Sequence, residues 1–242
     1  MGIDMTKMKA KYEALQNKGN GNRDLFWRPP DGESTIRIVP TPDGDPFREF
    51  WFHYNPGFLS PKRNFGDDCP LDSFVRQLYN EGTDDSIKLA KSLSARQRFF
   101  APVVVRGEED KGVRVWGFGK TAYAELLSLV LNPDYGDITD VDEGTDLVIH
   151  YGKPAGAQFP QTNITPRRRP SHLSDEEQKC ATWLDSIPDF TTLFERKTPA
   201  QVQAMLDEFL LGEEAQAMSN ETTRGKTSTS SVDKAFEELL GS

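Results

Sequence analysis

Apolar and polar positions alternate with period two over residues 34–39, where Ile36 and Ile38 fall on one side and Thr35 and Arg37 on the other. That is the pattern of a half-buried strand. Residues 47–54, Phe-Arg-Glu-Phe-Trp-Phe-His-Tyr, form a second strand by their aromatic content. From Pro70 to Leu93 the spacing turns helical, with a break near Gly82. Two more strands follow within residues 96–120, joined by an acidic turn, and a helix over about 121–131 ends at Asn132-Pro133. Residues 147–151 make a fifth strand and 159–164 a sixth. Helical segments occupy 173–211, including one with Val202, Met205, Leu206, Phe209 and Leu210 on a single stripe. Short strands with helical insertions predict a mainly β, α+β chain, an OB-like partly open barrel.

The two ends read differently. Residues 5–18 form a Lys-rich helical candidate, cut off from the rest by Gly19-Asn20-Gly21-Asn22. Residues 212–231 are mostly polar and compositionally disordered, and the chain finishes on an acidic amphipathic peptide over 232–240. The expected organisation is a basic arm over 1–20, a core with a helical subdomain over 21–211, and an acidic tail over 212–242.

Composition narrows the function. The chain has 242 residues, 36% of them hydrophobic, and a net charge of -9. No apolar run approaches a membrane span and no signal-peptide core is present, which points to the cytoplasm. Two cysteines, Cys69 and Cys180, are too few for a disulfide framework and too far apart for a self-contained metal knuckle. An acidic chain argues at first against nucleic acid, but residues 171–242 hold 14 acidic and 6 basic side chains, so the remainder is near neutral. Asymmetry of this kind signals an interaction tail on a body with local basic clusters.

The strongest such cluster is the strand pair within residues 96–120. Period two puts Val113 and Val115 on one side and Arg114, Trp116 and Phe118 on the other. Rings stack on bases while Arg and Lys hold phosphates, so this face suits a single-stranded polynucleotide. The competing reading packs Trp116 and Phe118 under the helix that follows, with Arg114 at the rim. Arg96 and Arg98 precede the first strand, Lys88 and Lys91 lie on the helix before it, and Lys120 ends the second. Arg167-Arg168-Arg169, braced by Pro166 and Pro170, repel one another without an anion near. Lys62 and Arg63 form a smaller cluster.

Several quoted stretches carry a family resemblance. Phe-His-Tyr-Asn-Pro-Gly-Phe at 52–58, Asp-Cys-Pro at 68–70, Phe99-Phe100-Ala101, Val103-Val104-Val105 and Trp116-Gly117-Phe118-Gly119-Lys120 occur in an order that resembles the replicative single-stranded DNA-binding proteins of T-even-like bacteriophages. It covers roughly residues 34–165. The resemblance implies a protein that coats transient single strands cooperatively, without sequence preference, in phage replication, recombination and repair within the infected host's cytoplasm. It implies stacking on Trp116 and Phe99 and phosphate contacts from Arg96 and Arg98; the pattern of charge and aromatic residues adds Tyr54, Lys62, Arg63, Arg114, Phe118, Lys120, Arg167, Arg168 and Arg169 to the expected DNA-binding surface. It places self-association in the arm, through Lys7, Lys9 and Lys11, and replication and recombination partners on Phe236, Leu239 and Leu240 of the tail.

One departure concerns metal. The family holds zinc with one His and three Cys, two of them in Cys-Pro-x-Cys, whereas this chain has Cys69-Pro70-Leu71-Asp72 and Pro56 where the His is expected. His53 is nearby and expected to point elsewhere. One thiolate with an Asp makes no closed site, so neither metal nor cofactor is expected, and Leu71, Phe74, Val75 and Leu78 are left to hold this region. Gly117-Phe118-Gly119-Lys120-Thr121 lacks the earlier glycine of a P-loop. His53, His150 and His172 are isolated and the carboxylate runs are turn-like, so no enzyme is expected. The alternatives are a single-stranded RNA-binding protein and, less favoured, a metal-dependent nuclease.

Overall fold

The structure, a computed structural model, describes residues 24–220, with side chains as far as Leu211. The arm helix expected over 5–18, with Lys7, Lys9 and Lys11, and the terminal peptide with Phe236, Leu239 and Leu240 lie outside the described residues. The chain divides into two compact units, one taking residues up to Glu49 together with Arg98–Leu193, the other Phe50–Gln97 and the chain from Phe194 onward.

The first unit is built on a mixed, open sheet. Its strands are β1 (Phe26–Trp27), β2 (Gly32–Ile38), β5 (Arg96–Val105), β6 (Arg114–Phe118), β7 (Leu147–Gly152) and β8 (Gln161–Pro166), in the order β1-β6-β5-β2-β7-β8. The short β1 runs parallel to β6, with Trp27 opposite Trp116. The other neighbours along this path are antiparallel. One face buries Ile36 and Ile38 of β2, Phe99, Ala101, Val103 and Val105 of β5, and Leu147 and Ile149 of β7, closed by Ala122 and Leu126 of helix α4 (Lys120–Val130). Val39, Val104, Val113, Leu173, Cys180 and Trp183 form a separate cluster, Cys180 and Trp183 coming from α5 (Glu177–Asp185). β5 is therefore covered on both sides, which is why it reads as an unbroken apolar run instead of an alternating one.

Arg37 breaks the alternation that its strand otherwise obeys. Its position is polar by period, yet the side chain is 0% exposed. Its Nε donates to Asp146 Oδ1 at 2.9 Å, and Nη2 donates to Gly144 O at 3.0 Å and Ser171 O at 2.8 Å. Arg106 reaches the same carboxylate through Nε and Nη2 and donates from Nη1 to Leu173 O at 2.8 Å. Two guanidiniums thus share one carboxylate and tie the loops around residues 140–146 and 171–173 to the sheet. Burial lowers the pKa of Arg37 and Asp146 opposes that shift. Gly144 is required where these loops meet, since a Cβ there would lie 2.2 Å from Asp140 O and 2.6 Å from Arg37 Nη1.

The second unit contains most of β3 (Arg48–Tyr54), paired antiparallel with β4 (Gly57–Leu59), and the helices α1 (Pro61–Phe65), α2 (Pro70–Glu81), α3 (Asp84–Leu93) and α6 (Pro199–Asn220). Gly82 takes φ 70° at the end of α2, a left-handed cap that glycine accommodates without a Cβ penalty. Thr83 then caps α3 by accepting from Ser86 N. Leu71, Val75 and Leu78 pack with Phe58, Cys69, Ala90, Leu93, Val202 and Leu206, while Phe74, Met205, Phe209 and Leu210 lie against that cluster. The stripe read over 199–211 is therefore the face that α6 buries. Three short elements had no periodic signal: β1, β4 and α1.

Candidate nucleic-acid interface

The face expected to carry stacked bases is corrected by the core of the first unit. Trp116 is 1% exposed and Phe118 and Phe99 little more. Trp116 meets Trp27 edge-on, with centroids 6.0 Å apart, and Phe118 at 4.5 Å. Phe99 stacks on Tyr123 of α4 at 3.8 Å. None of these rings offers a face to a ligand. The alternation along β6 is real, but its aromatic side is the one that meets α4. Arg114 is correspondingly buried, its Nη2 donating to Glu108 Oε2 at 2.7 Å. Hydrogen bonds from Lys111 and Arg114 hold the Glu108 carboxyl below its ordinary range.

The smaller side of β6 explains Gly117. A Cβ there would lie 2.9 Å from Phe100 Cε1, and Phe100 is fully buried. Arg98 uses the same gap, donating from Nη2 to Gly117 O at 3.1 Å, and is half-buried as a result. Lys120 is exposed at the start of α4, and Arg96 is exposed in the second unit.

Six arginines of the first unit fall into two groups. Arg37, Arg106 and Arg114 are held by carboxylates. Arg167, Arg168 and Arg169 are exposed, immediately beyond β8, a strand at one end of the sheet order. Arg167 is fixed by its backbone, whose N–H donates to Asp146 O at 2.9 Å, and its Nη2 donates to Thr35 Oγ1 at 3.2 Å. Arg168 and Arg169 have no carboxylate or other hydrogen-bonding partner among the described residues. Three adjacent positive charges thus sit on an anchored backbone without a carboxylate partner among the described residues, an arrangement whose charge and hydrogen-bond donors suit phosphate groups.

In the second unit, sequence reasoning found Lys62 and Arg63 but not the rings beside them. Ser60 caps α1 by accepting from Arg63 N, Pro61 fits the first helical position, and Gly66 ends the helix with φ 77°. Asn64 clamps this helix to β3, accepting from Trp51 N at 2.9 Å and donating to Trp51 O at 2.8 Å. Lys62 and Arg63 are thereby left exposed. Arg63 lies over the half-buried Trp51 ring at 5.2 Å, and Arg196 over Phe65 at 4.5 Å, with Phe65 40% exposed. Tyr54 is half-buried beside Phe52. Lys88 is paired with Asp85 while Lys91 is exposed. The signal available in the sequence was the closeness of Trp51, Lys62, Arg63 and Phe65; only the turn of the chain brings Arg63 over the Trp51 ring.

Comparison with known protein families matches residues 30–210 to the family described as gp32 DNA binding protein like. The chain belongs to this family of single-stranded DNA-binding proteins. No curated protein matches it. Membership spans both units and includes each of the two cationic surfaces just described. No helix among the described residues is long and apolar enough to cross a membrane.

The family's zinc can be tested against the donors present in this member. His53, Cys69 and Asp72 each direct one ligand atom to a common point, all within 4.8 Å of one another. His53 does not point away, as its sequence position suggested. Its Nε2 lies 3.8 Å from Cys69 Sγ and 3.6 Å from Asp72 Oδ2. Burial pushes the Cys69 thiol up to about 11. The set fits an open, three-donor site, not the closed one-His, three-Cys site of the resemblance.

Proposed function

We propose that the protein coats single-stranded DNA without sequence preference, serving phage replication, recombination and repair in the host cytoplasm, and that it acts by binding, without turnover chemistry. The observation that carries this reading is the exposed Arg167-Arg168-Arg169 run, whose last two guanidiniums have no partner among the described residues while the buried arginines nearby are neutralised. On the second unit, Lys62, Arg63 and Arg96 supply phosphate contacts, and Trp51, Phe65 and Tyr54 supply stacking rings. Arg98 and Lys120 add charge on the first unit. A backbone-and-stacking interface of this composition has no dedicated reader of base edges, so sequence tolerance follows.

The arm and tail complete the proposal. Lys7, Lys9 and Lys11 of residues 1–20 dock on a neighbouring copy and make coating cooperative. The acidic segment over 212–242 competes with DNA phosphates and presents Phe236, Leu239 and Leu240 to replication and recombination proteins. An OB-type barrel is the architecture proposed for the first unit.

Fluorescence anisotropy with a labelled single strand, its duplex and a matched RNA, titrated with salt, tests the reading. We expect single-stranded DNA to bind tightest, with a steep salt dependence. Replacing Arg167, Arg168 and Arg169 together by Ala should flatten the slope of log K against log salt by about 2, near 0.7 for each lost phosphate contact. An unchanged slope would remove the arginine run from the interface. Tighter binding to the RNA would move the whole assignment to RNA.

A further inference from the structure

We propose that Arg37 is a positioning residue for DNA binding. Enclosed and out of reach of any ligand, it holds the strap from Pro166 to Leu173 in one conformation, with Arg106 as a second support. Arg168 and Arg169 are thereby presented to phosphate in a preformed arrangement. This role rests on the reading of the arginine run as a phosphate contact, and it explains what keeps that contact in shape. All the groups concerned belong to the first unit.

The strap is tied down on both sides of the arginines, and the ties converge on Arg37 and Asp146. Arg37 Nε is engaged by Asp146 Oδ1. Its other nitrogens reach main chain and strap: Nη1 donates to Asp140 O at 3.2 Å, and Nη2 to Gly144 O, to Ser171 O at 2.8 Å and to Ser171 Oγ at 2.6 Å. Arg106, on the same carboxylate, donates to His172 O at 2.9 Å and Leu173 O at 2.8 Å. The strap's own N–H groups bond back to the loop that Arg37 organises. Arg167 N donates to Asp146 O at 2.9 Å, Ser171 N to Gly144 O at 3.0 Å and Leu173 N to Val141 O at 2.7 Å.

Arg168 and Arg169 stand between these ties. Pro170 follows them with its φ fixed by the ring, and Pro166 precedes the run, paired with Leu147 at the end of the β7–β8 ladder. The two exposed guanidiniums therefore rise from a short stretch of backbone whose neighbours on each side are held. Packing does not call for an arginine at position 37, because a buried ion pair gives little net stability over apolar side chains of the same volume. What the guanidinium adds is a rigid planar fork that reaches the carbonyls of Asp140, Gly144 and Ser171 at once. A strap ordered in advance avoids the cost of ordering it at the moment of binding, on the order of tenfold in affinity for each residue fixed. The number of phosphates contacted is the same either way, so losing this order should weaken binding without changing its salt slope.

The test measures binding of the full chain to a labelled oligothymidylate across a salt series, together with amide hydrogen exchange of the DNA-free protein. Arg37→Lys keeps the charge and can still pair with Asp146, but an ammonium group cannot span the three carbonyls. We expect it to bind on the order of tenfold more weakly with the parent's salt slope, and Ser171→Ala to move the same way by a smaller factor. Arg168→Ala combined with Arg169→Ala should instead flatten the slope by about 1.4, near 0.7 for each lost phosphate contact. The amides of Arg167, Ser171 and Leu173 should exchange faster in Arg37→Lys, while those of α4 keep the parent's rates. If Arg37→Lys fails to fold, Arg106→Lys and Ser171→Ala carry the same comparison. Parent-like affinity in these variants, beside a flattened slope in the Arg168 and Arg169 double variant, overturns the positioning role alone. Faster exchange throughout the first unit, or a slope flattened in Arg37→Lys, overturns it as well. A parent-like slope in the double variant overturns the phosphate reading and this role with it.

Discussion

Trp116 and Trp51 show how little a residue's type says about its task. Both sit in aromatic, cation-flanked strands. Trp116 packs between Trp27 and Phe118 with its ring enclosed, whereas Trp51 lies half-buried beneath Arg63. We therefore expect Trp116→Ala to cost about 3–5 kcal/mol of stability, the usual range for an emptied aromatic site, without weakening oligonucleotide binding per folded molecule. Trp51→Ala and Phe65→Ala should each lose about 1–3 kcal/mol of binding, the value of a base stack. Denaturant unfolding and anisotropy, run on the same variants, separate the two effects. Affinity lost in Trp116→Ala in proportion to the Trp51 variant would contradict the burial-based division.

Glu108 offers a pH test at the same scale. Its folded pKa is lowered from the ordinary 4.5, chiefly by the Lys111 hydrogen bond and also by Arg114. A lowered carboxylate contributes its stability in full above the unfolded value and loses it as pH falls through the folded value. The melting temperature of Glu108→Gln should therefore fall below the parent's by a constant amount at neutral pH. That gap should close below about 4.5, as the parent protonates. A gap that stays constant into acid would mean the ion pair with Arg114 contributes nothing.

At the scale of elements, the strands and longer helices follow the spacing of apolar residues closely. Their faces do not follow from it. β6 presents two alternating sets that are both apolar enough for a core, and the helix after it covers the aromatic one. β2 has the opposite difficulty, since Arg37 occupies a position that period two leaves to solvent and is instead the buried hub of the loops around 144 and 171. Asp146→Asn should cost about 3–5 kcal/mol, because a fully buried guanidinium loses its counter-ion. Arg37→Met should cost less, since Arg106 still neutralises Asp146. Urea unfolding of the two variants gives the comparison, and equal losses would show that the loop-carbonyl hydrogen bonds dominate over the charge.

At the scale of the whole molecule, charge is unevenly distributed along the chain. The body is near neutral but carries exposed arginine and lysine clusters, and the excess of acid lies toward the C-terminus. Deleting residues 213–242 should raise affinity for duplex DNA at low salt, because a tethered anion competes at high local concentration. The advantage should vanish near 1 M salt, where the screening length is about 3 Å. It should also abolish binding of replication partners. Filter binding of duplex DNA by full-length and shortened chains checks this, and equal affinity at low salt would show that the tail does not compete for the DNA surface.

The sequence by itself determined the α+β class, the positions of six of the eight strands, the helix break at Gly82, the apolar stripe of α6 and the Arg167-Arg168-Arg169 cluster. Each is a local property, a period, a cap or a run of charge, that holds whatever the rest of the chain does. Tertiary structure alone decided which side of β6 is inside, because that depends on where α4 lies. It decided that Arg37 is neutralised by Asp146 and Arg114 by Glu108, while Arg168 and Arg169 have no partner among the described residues, because pairing depends on where the folded chain brings each carboxylate. The orientation of His53 also depended on it. Leu93 lies 40 residues from His53, and the hydrogen bond between them turns the ring toward Cys69 and Asp72, a convergence that no spacing along the chain encodes.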